Sequence, residues 1–153
     1  MLVATEKLAD LSGHVTMVDG GFDPLHPGHV TYFRAAAELG APVLCNVSSD
    51  EWVGRKHAPL LVQAERAAVI DAIRNVEYVH CSSTSTAEVL RRLKPRVYAK
   101  GSDWRNRLPA EERAVCEELG IEIVFLDTVS DSSTDVLRRY RERDDEQARA
   151  DRS

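Results

Sequence analysis

Several things are scarce in this 153-residue chain, and each scarcity excludes a class. Only three cysteines occur, Cys45, Cys81 and Cys116, widely spaced and without a CxxC pair or a Cys/His pair at zinc spacing. A disulfide framework and a structural zinc are therefore not expected. Cys45 sits in a strand-like run and Cys116 on a helical face, so both read as small buried apolar residues. No apolar run approaches the roughly 20 residues that a membrane-spanning helix needs. The opening "MLVATEKLADLSG" lacks the basic stretch and long apolar run of a secretory signal, which leads to an expectation of a cytoplasmic protein without a membrane partner. Positive charge is in deficit: 25 acids face 20 bases, a formal charge of −5. That points away from nucleic acid, whose backbone attracts basic faces, but not from a small phosphorylated ligand, which needs only a few local cations. There is no internal repeat and no interior linker, and the length suits one domain.

What is present is an alternation. Runs rich in β-branched and apolar residues occur at 14–19 (HVTMVD), 42–47 (PVLCNV), 76–81 (VEYVHC), 96–100 (RVYAK) and 121–127 (IEIVFLD). Three show little polar alternation, as expected for strands covered on both faces. Helical patterns separate them at 28–40, 62–75, 85–94 and 109–120, and a last helix begins near Ser133. The segment at 85–94 opens on a Ser/Thr cap with Glu88 in its first turn and stops before Pro95. The segment at 109–120 has Pro109 near its start and Gly120 just past its end. The order β-α repeated five times predicts an α/β domain over residues 1–140, an open parallel sheet with helices on both faces. Residues 141–153 are wholly polar and read as a helix end or a disordered tail.

In such sheets ligands bind at the carboxyl ends of the strands. The end of the first strand carries "DGGFDPLHPGH", Asp19 to His29. It is not a GxGxxG dinucleotide fingerprint, and no Gly-Lys-Ser/Thr makes it a P-loop. Its feature is H-P-G-H at a helix start: His26 and His29, three apart, share a face beside the helix's free N–H groups, which attract anions. Gly28 lets the backbone approach a bulky ligand. Phosphoryl and nucleotidyl transfer need donors aimed where negative charge develops, and this arrangement supplies them. Helix capping by one histidine is the plain alternative. His14, His57 and His80 carry no such pattern and are read as structural.

These residues resemble the nucleotidyltransferase superfamily with the HxGH signature, over roughly residues 16–138. Within it the chain is most similar to the adenylyltransferase domain of ADP-heptose synthases, and is also similar to glycerol-3-phosphate cytidylyltransferases. The matching pieces are "FDPLHPGH", "NVSSD", "GRKHAPL", "AERAAVIDAI", "AKGSDW" and "SSTDVL". Ser102 and Trp104 stand where the former family has Gly and Tyr, and the R-T-x-G-I-S-T-T pattern of the latter is absent. No kinase segment of the bifunctional heptose enzymes is seen. The resemblance implies a Rossmann-like, doubly wound, five-stranded parallel sheet of order 3-2-1-4-5.

It also implies roles. His26, His29, Lys56 and Lys100 would be catalytic. Gly20, Gly21, Phe22, Asp23, Gly28, Gly101, Asp103, Ser132, Ser133 and Thr134 would bind the nucleotide. Asp23 is equally a structural turn residue. Trp104 could stack on a base or sugar or be structural, and Arg66 could pair with Glu65 or another surface acid. No protein metal site is expected; Mg²⁺ would arrive mainly on the nucleotide phosphates, with Asp23 assisting through water. The expected partners are ATP, or CTP second, and a phosphorylated small molecule such as a sugar 1-phosphate; a homo-oligomer is expected. A regulatory nucleotide-binding module without turnover, and an adenylyltransferase for a cofactor precursor, are the alternatives.

Overall fold

The computed structural model describes residues 1–127 and 133–152. Five parallel strands form one sheet: β1 (Thr16–Gly20), β2 (Val43–Val47), β3 (Tyr78–Cys81), β4 (Val97–Gly101) and β5 (Glu122–Leu126). Their order is β3-β2-β1-β4-β5, as the resemblance implies. Six α-helices accompany them: α1 (Pro27–Ala37), α2 (Asp50–Val53), α3 (Gln63–Asp71), α4 (Thr86–Leu93), α5 (Ala110–Leu119) and α6 (Ser133–Ala150). Helix α2 and two 3-10 helices, Thr5–Leu11 and Ser102–Trp104, were not foreseen from the sequence.

Side chains alternate across each strand, so each face of the sheet has its own core. Val18, Cys45, Val79 and Ala99 pack with Phe33, Ala36 and Ile70 from α1 and α3. Met17, Leu44 and Tyr98 pack on the other face with Leu90 and Leu93 of α4, Val115 of α5 and Leu8 of the first 3-10 helix. Cys45 and Cys116 are buried as expected. Asp19, two residues beyond Met17 on β1, therefore points to the α4–α5 side.

Helix ends are set by local chemistry. Ser85 Oγ accepts from Glu88 N at 3.2 Å and starts α4. Gly120, at φ 68°, takes the left-handed conformation that ends α5. The strand order reverses between β1 and β4, since β1 leads outward to β2 while β4 lies on its other side. A cleft of about 600 Å³ opens there, at the carboxyl edge of the sheet.

Candidate active site

The loop that leaves β1 is tightly built. Phe22 adopts φ 53°, a left-handed conformation unusual for a bulky residue. Its ring is buried, edge-on to His29 with centroids 5.0 Å apart and 5.2 Å from Phe33. A Cβ on Gly20 would lie 3.1 Å from that ring, and one on Gly21 would lie 3.0 Å from Val53 Cγ2. The two glycines are what let this loop close over the start of α1.

His26 is the N-cap of α1, and its Nδ1 accepts from Gly28 N at 3.1 Å. His29 Nδ1 accepts from His26 N at 3.3 Å. A backbone N–H only donates, so both Nδ1 atoms are bare and the proton of each neutral ring sits on Nε2. The rings stack with centroids 3.8 Å apart. Burial first, and then the neighbouring His26, lower the His29 pKa to about 3. His29 is thus a neutral Nε2–H donor near neutral pH. The capping reading of His26 holds, and the two rings are not equivalent: His29 and Gly28 line the cleft, while His26 is buried behind them and borders a separate outer groove with Val30 and Arg34.

The cations arrive from two directions. Lys100, at the end of β4, donates to Asp19 Oδ1 at 2.8 Å and lies 4.3 Å from the Trp104 ring centre. Lys56 follows α2, stands 4.9 Å over Trp52, and has its pKa lowered by burial and then by Lys100 and Arg107. All three cations therefore face one space. Sequence reasoning missed Arg107. Its only signal was the four-residue spacing from Asp103, to whose carboxylate and backbone carbonyl it donates, both at 3.1 Å. Asp103, expected on the nucleotide, is held by Arg107 at the cleft wall, next to Gly101. Trp104 carries cations rather than an open face: Arg107 lies 4.7 Å from its ring centre, beside Lys100.

Ser133 and Thr134 begin α6 and line the cleft beside the loop that leads into α1; Ser133 Oγ donates to Pro24 O at 3.0 Å. Ser132 lies outside the described residues.

Asp23 and Arg66 hold the loops in place. Both carboxylate oxygens of Asp23 accept backbone N–H groups, from Leu60 at 2.8 Å and Leu61 at 3.2 Å. The turn residue thus anchors the loop behind Lys56 rather than its own turn. His57, read as structural, stands 3.9 Å from Asp23 in the cleft lining. Arg66 is not a surface residue. It is 1% exposed and donates to Gly21 O at 2.6 Å, Leu61 O at 3.0 Å and Asp50 Oδ1 at 2.6 Å. Of the suggested partners, Glu65 instead accepts from Val62 N at the start of α3, and the partly exposed Asp50 is the other acid. Among the described residues no group of three or more His, Cys, Asp or Glu is placed to hold a metal ion.

A doubly wound parallel sheet, a neutral histidine donor at a helix start and three cations across the switch-point cleft define a nucleotidyltransferase-type domain. The sequence profile of the cytidylyltransferase-like family matches residues 17–139, and the chain belongs to that family. It is 31% identical over 144 residues to the bifunctional protein HldE of Desulfatibacillum aliphaticivorans, covering 90% of this chain and 29% of that protein. Against HldE of Gluconobacter oxydans the identity is 36% over 133 residues, covering 82% and 27%. The chain thus spans less than a third of the curated relatives it matches. A lipopolysaccharide core biosynthesis protein from Thermoplasma volcanium shares the fold with a TM-score of 0.66 at 24% identity, covering 76% of this chain and 98% of that one.

Proposed function

We propose that this chain transfers a nucleoside monophosphate, AMP from ATP before CMP from CTP, to a phosphorylated sugar and releases pyrophosphate. The observation that carries this reading is the neutral His29 donor facing Lys56, Lys100 and Arg107 across one cleft. An oxygen of the acceptor phosphate attacks the α-phosphorus; that O–P bond forms as the bond from the α-phosphorus to the bridging oxygen of pyrophosphate breaks. The attacking oxygen is already ionised, so no general base is needed. His29 Nε2–H donates to the α-phosphate as charge builds on it, and His26 orients His29 from behind. The start of α6, through Ser133 and Thr134, receives the departing phosphates, and the cations balance their charge. Mg²⁺ carried on the triphosphate would neutralise the leaving pyrophosphate. The relatives named HldE support a sugar-phosphate acceptor.

The test is pyrophosphate release from ATP or CTP with mannose 1-phosphate, glycerol 3-phosphate and phosphoethanolamine. Release with at least one acceptor is expected, and His29→Ala should lower kcat by about 100-fold or more. Nucleotide binding by calorimetry without release for any pair would replace transfer with a binding module.

A further inference from the structure

Asp19 lies next to the end of β1, and side chains from two other elements converge on its carboxylate. Lys100 Nζ, from β4, donates to Oδ1 at 2.8 Å, and Tyr98 OH, from the same strand, donates to Oδ1 at 3.1 Å. Thr86, which opens α4, donates through Oγ1 to Oδ2 at 2.9 Å. These partners stand 67 to 81 residues away, so no local pattern marks Asp19 as more than the residue before a glycine turn. Asp19 is 8% exposed and Lys100 6%, and both line the cleft. Their ion pair is therefore little screened by salt.

The other acids along the cleft are placed differently. Asp103 is held by Arg107, Asp23 holds the Leu60 and Leu61 backbone, and Glu112 accepts from Tyr98 at 2.6 Å. Glu51 and Glu111 are exposed. Among the described residues, Asp19 is the cleft acid that pairs with Lys100. A buried pair adds little net stability, because desolvation offsets the attraction. Orientation is what it supplies. A lysine ammonium is a point charge on a flexible stem. Left to itself beside an anionic ligand, it would follow the phosphates and bind substrate and transition state alike, which lowers KM without raising kcat. Asp19 fixes the ammonium from one direction, and the Trp104 ring, 4.3 Å away, supports it from another.

We propose that Asp19 is a positioning residue for nucleotidyl transfer. It acts through Lys100, holding the ammonium where charge develops on the transferred phosphate rather than where the bound triphosphate would draw it. This rests on the reading of the cleft as a nucleotidyltransferase site.

The test is a double-mutant cycle of wild type, Asp19→Asn, Lys100→Met and the double variant. Pyrophosphate release is measured from ATP with whichever of the three acceptors wild type turns over fastest, and thermal melts confirm folding. Asp19→Asn should lower kcat about tenfold, with KM for ATP unchanged or lower. The double variant should be no slower than Lys100→Met alone. Should Asp19→Asn not fold, Thr86→Val, which loosens the carboxylate and leaves the ion pair, takes its place with an expected loss in kcat of about threefold. An unchanged kcat, a loss confined to KM, or losses that multiply in the double variant would overturn the assignment while leaving nucleotidyl transfer intact. If wild type turns over no acceptor, transfer is lost, and ATP calorimetry on the same four proteins decides whether Asp19 acts through Lys100. Lys100→Met leaves the Asp19 carboxylate uncompensated beside the phosphates and should weaken ATP binding about tenfold. Adding Asp19→Asn should then recover about threefold or more of that loss, and no recovery would overturn the pairing.

Discussion

His26 turns a helix cap into part of a site with a single ring nitrogen. Its Nδ1 caps α1, which leaves the Nε2 proton in place, and its backbone N–H fixes the tautomer of His29. Substituting His26 by Ala should therefore cost about 1 kcal/mol of stability through the lost cap as well as activity. The same burial makes stability depend on pH. His29 is lowered from 6.5 to about 3 in the folded chain, and burial also lowers His80, whose Nδ1 lies 2.7 Å from Asn46 Oδ1. Below 6.5 the unfolded chain takes up protons that the folded chain refuses. The contribution is complete above 6.5 and is lost as pH falls toward about 3. Glu112, whose carboxyl burial raises above its ordinary range, works in the opposite sense. The melting temperature should hold steady from about pH 8 to 6.5 and then decline, and His29→Asn should flatten the decline. A decline of equal slope in His29→Asn would assign it to other groups. The two histidines were legible in the sequence because their geometry is local, three positions apart at a helix start. Lys100's engagement with Asp19, 81 residues away, was not, although its place at a strand end was.

Between elements, Arg66 is the joint. Its guanidinium binds the loop after β1, the loop before α3 and the start of α2, partners 45, 5 and 16 residues away. No helical pattern announces that. On a helix wheel an arginine beside a glutamate reads as surface charge, and only tertiary packing turns it inward. Helix α2 escaped notice for a related reason: four residues are too few to show a period. The longer helices and all five strands were readable because their apolar faces repeat over several turns or fill whole strands. Arg66→Met should leave the Gly21 and Leu61 carbonyls without this donor and remove the charge partner of Asp50. About 3 kcal/mol of stability should go with it, and, on the proposed function, KM for the nucleotide should rise because Gly21 lines the cleft. Denaturant unfolding and nucleotide titration check this together. Loss of stability without any change in nucleotide affinity would make Arg66 a strut remote from the site.

Across the whole molecule, the sheet separates two kinds of surface. Acids outnumber bases by 25 to 20, yet Lys56, Lys100 and Arg107 converge on the switch-point cleft. The polar end of the chain belongs to the other surface. Residues 141–150 continue α6 as helix. None of the α6 residues is buried, and Tyr140 is 67% exposed. Arg138 pairs along the helix with Asp135 at 3.7 Å and Glu142 at 3.5 Å. Exposed pairs of this kind add little stability. One tie of α6 to the domain is its first turn, where Ser133 bonds to Pro24 O beside α1. Stability and function should therefore divide along this helix. A chain ending after Arg143 should melt within about 2 °C of the full chain and release pyrophosphate at an unchanged rate. Ser133→Ala should instead raise KM for the nucleotide while leaving the melting temperature nearly unchanged, since one partly buried hydroxyl bond contributes about 1 kcal/mol. If the shortened chain melts well below the full one, the outer turns of α6 stabilise the domain themselves, and the anchoring role of its first turn falls.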